Sequence, residues 1–370
     1  MFFFFILFLF FPSSIDFTMN PHSNALRSFE DCFEIRDDVG SGTYGKVSLV
    51  LRKNSNDKKL YSVKQSKINT EERKISPSIF RELVFLSEVS YPHIIHPSSK
   101  DIFLDNNLLS FVYEYGAVNV QKMIEFYSGQ KKKIDHVIAK SILFQLLLAL
   151  DYLHQRSIVH CDLTPSNVLL MSPTSEEMPG IVKLIDFGLS RIIDASNEQR
   201  NFGVVTVWYR APELLLGDSR YDQKIDIWSA GCIFAELLLG KVLFQTANKS
   251  QEKDPTEFNQ SQFKRIVEVM GPIDYIKCPS YYKYRDKIET IQSNRSPEFN
   301  EYFGENKNQA YVDLLSKMLK IYPNERISAK EALNHPYFQE PPACVMNVTG
   351  NIPNNEWNSL LDYVKAKKAN

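Results

Sequence analysis

The hydrophobic period of this chain changes part way along, and that change limits the folds open to it. From Phe33 onward the pattern is strand-like, with Val47, Leu49 and Leu51 sharing one face of the run Lys46 to Leu51. Leu60 to Lys64 reads as the next strand and Leu108 to Tyr115 as a buried one. Between them, Ser78 to Val89 carries Ile79, Leu83 and Leu86 at helical spacing. Ile134 to Gln155 then reads as one long, very apolar helix, and Ile227 to Leu239 as a second. Strands first and helices afterwards predict an α+β enzyme of two lobes with a cleft between them.

The 370 residues, 44% of them apolar, are enough for a sizeable core. A net charge of −1 gives no basic field for direct nucleic-acid binding and no acidic excess of the kind that keeps a chain disordered. Lys131-Lys132-Lys133 reads as a solvated loop. Cys32, Cys161, Cys232, Cys278 and Cys344 are scattered, without C-x-x-C spacing, which suits a reducing compartment and offers no metal site. Met1 to Phe11 is an unbroken apolar run ended by Pro12. It falls short of the ~20 residues of a spanning helix. It also lacks the basic start and small-residue cleavage site of a signal peptide, so a membrane role is not expected. The favoured reading is a start at Met19, or a dispensable leader.

Several motifs carry chemistry. Gly40-Ser41-Gly42-Thr43-Tyr44-Gly45-Lys46-Val47 is a glycine-rich turn between two strands. Its glycines let backbone amides approach phosphates closely, and the β-residues after it favour a phosphate-covering hairpin over a dinucleotide fold. Lys64 follows Val63 on the following strand, and Glu82 on the next helix is its natural partner. His160-Cys161-Asp162-Leu163-Thr164-Pro165-Ser166-Asn167 follows the long helix, and Asp186-Phe187-Gly188 follows the apolar run Ile181 to Ile185. Asp162 can accept a proton from an attacking hydroxyl; Asn167 and Asp186 offer hard oxygens to Mg²⁺.

Together with Ala211-Pro212-Glu213, these motifs in this order resemble the eukaryotic protein kinases from about Phe33 to Phe338. The resemblance implies a small, mainly β N-lobe (about 33–115) with one regulatory helix, and a larger, mainly α C-lobe (about 116–338). Residues 1–32 would be a leader outside the fold and residues 339–370 a C-terminal tail. The activity implied is transfer of a phosphoryl group from Mg-ATP to Ser or Thr hydroxyls of protein substrates. Asp162 would act on the hydroxyl, Lys64 (held by Glu82) on the α- and β-phosphates, and Asn167 and Asp186 on Mg²⁺; Thr206 joins the catalytic set. The nucleotide would be enclosed by Val39, Gly40, Ser41, Gly42, Thr43, Tyr44, Gly45 and Val47. Ser62 would stand above adenine, Glu114 and Gly116 at the hinge, and Asn119 near the ribose. Tyr113 would be the gatekeeper.

The stretches Val204 to Gly217 and Ile225 to Leu237 resemble the cyclin-dependent kinases. The helix Ser76 to Glu82 would then meet a cyclin, with Phe80 as its apolar anchor. Its S-x-S-x-x-R-E form is similar to the Mediator-associated branch, the partner of cyclin C. So are the longer loop Met171 to Gly180 and the segment ending Arg265 to Gly271. Nuclear action in transcription, with Mediator subunits as partners, is implied, and cytoplasmic residence is the lesser alternative. Other readings are a cell-cycle kinase of the same family, or a weakly active cyclin-binding scaffold. Val204, Val205 and Arg210 match the pocket for a proline after the acceptor.

Two departures stand out. The activating threonine of these kinases is replaced by Asn201, and of three phosphate-clamping arginines Arg81 and Arg191 remain while the third position is Cys161. These two losses together predict activation by cyclin without a loop phosphate. Thr164 stands where relatives place a lysine near the transferring phosphate. A missing cation there predicts a slow enzyme, by roughly 10–1000-fold.

Overall fold

Five antiparallel strands build the upper lobe: β1 (Phe33–Gly42), β2 (Gly45–Arg52), β3 (Leu60–Lys67), β4 (Ile102–Asp105) and β5 (Leu108–Glu114), in the order β1-β2-β3-β5-β4. The computed structural model describes residues 28–42, 45–54, 59–67, 77–97, 101–105, 107–173, 175, 178–193, 207–218, 220–246, 259–274, 277, 279–282, 284–291, 296–304 and 309–368. Thr43, Tyr44, Ser76, Asn201, Val204, Val205 and Thr206, singled out in the sequence, lie outside that set, as do residues 1–27.

Alternation along β5 covers both faces of the sheet. Leu109, Phe111 and Tyr113 face a cluster with Ile79, Leu83 and Leu86 of helix α2 (Pro77–Glu88). Val112, between them in sequence, faces the other way, into a cluster with Phe29, Phe33, Val50, Val63 and Phe103. Phe29 belongs to a short helix, α1 (Phe29–Cys32), within the stretch read as leader. Ser28 and Asp31 close a reciprocal capping box, and the amide of Phe29 donates to Asp105 at 2.6 Å. Residues 28–32 are thereby packed against the outer face of the sheet.

The chain enters the lower lobe through β6 (Gly116–Asn119) and helix α3 (Val120–Gly129), followed by α4 (His136–His154). Asp135 accepts the Val137 amide at 2.7 Å, which starts α4 two residues after the first apolar position of its run. This helix is long and apolar enough to cross a bilayer, yet 67% of that stretch is buried in the fold. It is apolar on nearly every side because it is the core. Around it lie β8 (Val168–Met171) and β9 (Val182–Leu184), which form a sheet with β6, and the pair β7 (Ile158–Val159) with β10 (Arg191–Ile192). Helices α5 (Pro212–Leu215), α6 (Lys224–Leu239), α7 (Gln260–Met270) and α8 (Gln309–Met318), with several shorter ones, pack around them. Trp228, Phe234, Phe244 and Phe263 are among its fully buried aromatics.

An internal ion pair braces this lobe. Arg326 meets Glu213 at 2.8 and 3.1 Å, with the arginine side chain fully buried. The guanidinium also donates to the carbonyls of Lys320, Lys224 and Ile321, so its charge is satisfied on every side.

The C-terminal segment packs back onto the lower lobe. Lys140 donates to the carbonyls of Glu340 and Pro342 at 2.6 and 2.8 Å, and Gln145 to those of Val345 and Met346 at 3.0 Å. A last helix, α9 (Asn354–Lys368), buries Trp357 and Leu360, and its Glu356 accepts from the Tyr127 hydroxyl of α3 at 3.0 Å.

Candidate active site

The hairpin β1–β2 forms the roof of the cleft. Its register pairs Gly40 with Val47, Ser41 with Lys46 and Gly42 with Gly45. Val47 in turn pairs with Lys64, and Ser62 with Tyr113. Directly paired residues share a face, so Val47, Ser62, Lys64 and Tyr113 lie on the side of the sheet that carries α2.

Lys64 sits between two carboxylates. Its ammonium is 2.8 and 3.0 Å from the oxygens of Glu82 on α2 and 3.5 Å from Asp186. Burial alone would lower the lysine pKa, but the Glu82 and Asp186 charges outweigh it and the value rises. The lysine is therefore held as a cation. The Tyr113 hydroxyl donates to Glu82 Oε1 at 3.3 Å, and burial pushes that phenol well above its ordinary value. Helix α2 is thus docked inward. Its Phe80 points out, 41% exposed, as an anchor for a partner requires.

Three side chains converge on the loop after β7. The amide nitrogen of Asn167 donates to the backbone carbonyl of Asp162 at 2.8 Å and to its carboxylate at 3.3 Å. With its NH₂ committed, Asn167 has its Oδ1 left to face a cation. Asp186 adopts a left-handed backbone, φ +66°, and its Oδ1 accepts the Gly188 amide at 3.3 Å. Burial, reinforced by the nearby Asp186, pushes Asp162 up to about 6, although His160 and Asn167 pull the other way. Among the described residues no cluster of three His, Cys, Asp or Glu could cage a metal alone. One carboxylate and one amide oxygen fit a hard cation that completes its shell with phosphate and water oxygens.

Aspartate 226 passed unremarked in the sequence beyond its place in a matching stretch. Its carboxylate accepts the amides of His160 at 2.9 Å and Cys161 at 3.1 Å, and lies 3.0 Å from His154. Cys161 has φ +66°, the turn that aims both amides at one acid. The missed signal was a buried acid near the start of a largely apolar helix, α6. Phe187 is a second such residue. Its ring meets His160 at 5.1 Å and Phe85 of α2 at 6.3 Å, tying the loop to the helix.

The departures have definite environments. The half-buried Cys161 thiol lies beside the Val159 carbonyl, 3.6 Å, and the Tyr221 hydroxyl, 3.9 Å, and desolvation pushes its pKa far up. Arg81 donates to the Gly188 carbonyl at 2.9 Å, and Arg191 to the carbonyls of Leu189 and Ser190 at 2.8 and 3.0 Å. Thr164 is buried, with its hydroxyl 2.7 Å from that of Ser166. Asn119 caps α3 by accepting the Lys122 amide at 2.9 Å. At Gly116 an added Cβ would lie 2.1 Å from Leu169, so only glycine lets β6 approach β8 there.

The protein kinase domain family matches residues 33–338. "Cyclin-dependent kinase E-1" of Arabidopsis thaliana is 36% identical over 82% of this chain and 65% of its own length. "Probable cyclin-dependent kinase 8" of Dictyostelium discoideum is 35% identical over 84% of the chain and 81% of its own length. "Serine/threonine-protein kinase srb10" of Schizosaccharomyces pombe is 34% identical over 84% and 86% respectively. The chain thus spans just under two thirds of the first relative and more than four fifths of the other two.

Proposed function

Since the chain belongs to the protein kinase family, in its cyclin-dependent serine/threonine branch, we propose that it regulates transcription in the nucleus as a Mediator-associated kinase with a cyclin C-like partner. The family uses ATP and a divalent metal and acts on proteins; Mg²⁺ is the metal proposed here. The observation that carries this reading is Lys64 held between Glu82 and Asp186 while α2 exposes Phe80.

In the mechanism proposed, Lys64 fixes the α- and β-phosphates and Glu82 fixes Lys64. Asn167 Oδ1 and the Asp186 carboxylate hold the metal, which when bound offsets the charge of the phosphates. Asp162 orients the acceptor hydroxyl and takes its proton. A carboxyl raised to about 6 is a stronger base than an ordinary one and is still ionised at neutral pH. The amides of β1 and β2 around Gly40, Gly42 and Gly45 cover the phosphates, with Thr43 and Tyr44 at the turn. Val39, Val47 and Ser62 cover the base from above. Glu114 and Gly116 meet it at the hinge, Asn119 meets the ribose, and Thr206 completes the catalytic set. Specificity for a proline after the acceptor is part of the proposal, through Val204, Val205 and Arg210.

The half-buried, uncharged Cys161 and the two arginines engaged by backbone carbonyls support activation by cyclin without a loop phosphate. No third cation waits at that position for a dianion. Affinity purification of the full chain from its own cells tests the assignment. A cyclin C-like protein with Mediator subunits is the expected result; a mitotic cyclin would overturn the branch. Transfer by the cyclin complex, compared with its Asp162→Asn variant, separates a slow enzyme from a scaffold. Equal signals would sink catalysis.

A further inference from the structure

The C-terminal segment reaches the nucleotide hinge through a chain of four contacts. Val348 donates its amide to the Gly180 carbonyl at 2.8 Å, and the buried Thr349 hydroxyl donates to the Met171 carbonyl at 3.1 Å. Met171 and Gly180 are the two stems of the loop between β8 and β9. Gly180 has φ +66°, and an added Cβ would lie 1.8 Å from Asn347 Oδ1, so the segment is pressed against that stem. Within the loop, Ser175 and Gly180 both donate their amides to the Ser172 carbonyl, at 3.1 and 2.9 Å. The Ser175 hydroxyl then donates to Glu114 Oε1 at 2.5 Å, with Lys59 3.8 Å from the same oxygen. Glu114 ends β5 and begins the hinge; Met171 pairs with Gly116 across β6 and β8.

We infer that the segment Val345–Thr349 is a strap that positions the hinge for nucleotide, acting through the loop 171–180 and Ser175. Ser175 and Thr349 are positioning residues, since neither would touch the nucleotide. The strap is tied down at its other end by Ser141 and Gln145 of α4, with Lys140 holding Glu340 and Pro342 just ahead of it, and Gln145 also accepts the Val182 amide of β9 at 2.8 Å. A single α4 glutamine thus holds the strap and the strand that follows the loop. A hydrogen bond to a charged carboxylate is the strongest link in this series, and losing it frees the Glu114 side chain to turn.

The inference rests on residues 114–116 being the adenine hinge. The experiment uses the full chain with its cyclin, wild type and the variants Ser175→Ala, Ser175→Thr, Thr349→Val and Thr349→Ser. Steady-state kinetics against ATP should show KM raised about three- to tenfold in Ser175→Ala and Thr349→Val, with kcat within about twofold. The Thr and Ser variants, which keep the hydroxyl, should restore it. Hydrogen exchange of the 114–118 amides with and without nucleotide reads the hinge separately. Protection in wild type with unchanged KM in both hydroxyl-deleted variants would overturn the strap. Absence of protection in wild type would overturn the hinge reading instead, and the strap with it. A fall in kcat equal to the rise in KM, unrescued by the conservative variants, would make the contacts merely structural and also overturn the inference.

Discussion

The carboxylate of Asp226 accepts the backbone amide of Cys161 at 3.1 Å, immediately before the residue proposed as the base. The same acid takes the His160 amide, so the backbone of the catalytic loop hangs from a helix in the core of the lower lobe. An amide at position 226 would turn an NH₂ toward one of these donors. Asp226→Asn should lower kcat by about 10²-fold while costing about 2–3 kcal/mol of stability. Steady-state rates and a denaturant melt of the same preparation check both.

The raised Asp162 value has two opposite consequences. As base, the carboxyl must be ionised, so kcat/KM should fall tenfold per pH unit below about 6. For stability, the folded state binds a proton more tightly than the unfolded chain, whose value is the ordinary 3.8. This group's contribution is therefore fullest below that value and is lost as pH rises through about 6. Asp162→Asn removes the buried charge. It should abolish transfer yet raise stability at pH 7.5 by about 1–3 kcal/mol. A less stable, inactive variant would contradict the electrostatic account.

Cys161→Arg would restore the third clamp arginine without restoring its phosphate. A cation placed in the space of a half-buried thiol, beside Arg191, should lower stability by about 3 kcal/mol. Phosphatase treatment of the wild-type cyclin complex should leave its activity unchanged. A loss of activity on that treatment would show that a phosphate elsewhere on the loop had been doing the work.

Thr164→Lys should raise kcat by about tenfold or more, by returning a cation to the charge that develops in transfer. The Thr164–Ser166 hydroxyl pair is broken by this change, so a small loss of stability, about 1 kcal/mol, should accompany the gain. Single-turnover measurements with saturating substrate separate the chemical step from product release.

Much of this geometry was open to reading from residue order alone. Lys64 and Glu82 are 18 positions apart, yet a cleft-facing lysine needs a carboxylate, and α2 supplies one. Asn167 and Asp162 fall in one short loop, where local spacing sets their meeting. Asp226 was harder, because its partners are backbone amides some 65 residues away and carry no side-chain signature. The strap was harder still. Its bonds to Ser141 and Gln145 are made by main-chain atoms, and main-chain atoms look alike in every sequence. Alpha-helix 1 was missed for a different reason: four residues show no period, and only the Ser28–Asp31 capping pair marks them.

The Tyr113 hydroxyl is hitched to the same Glu82 oxygen that Lys64 grips. If 114–116 serves as the hinge proposed above, an inhibitor entering there meets Tyr113 bonded to Glu82 at the rear. Reaching behind it requires turning a buried tyrosine off a carboxylate that is already neutralised by lysine. At the proposed nucleotide site, compounds confined to the front face no such barrier, whereas those that extend past Tyr113 must first break its bond to Glu82. Selectivity for this chain is thus a matter of how far back a ligand tries to go.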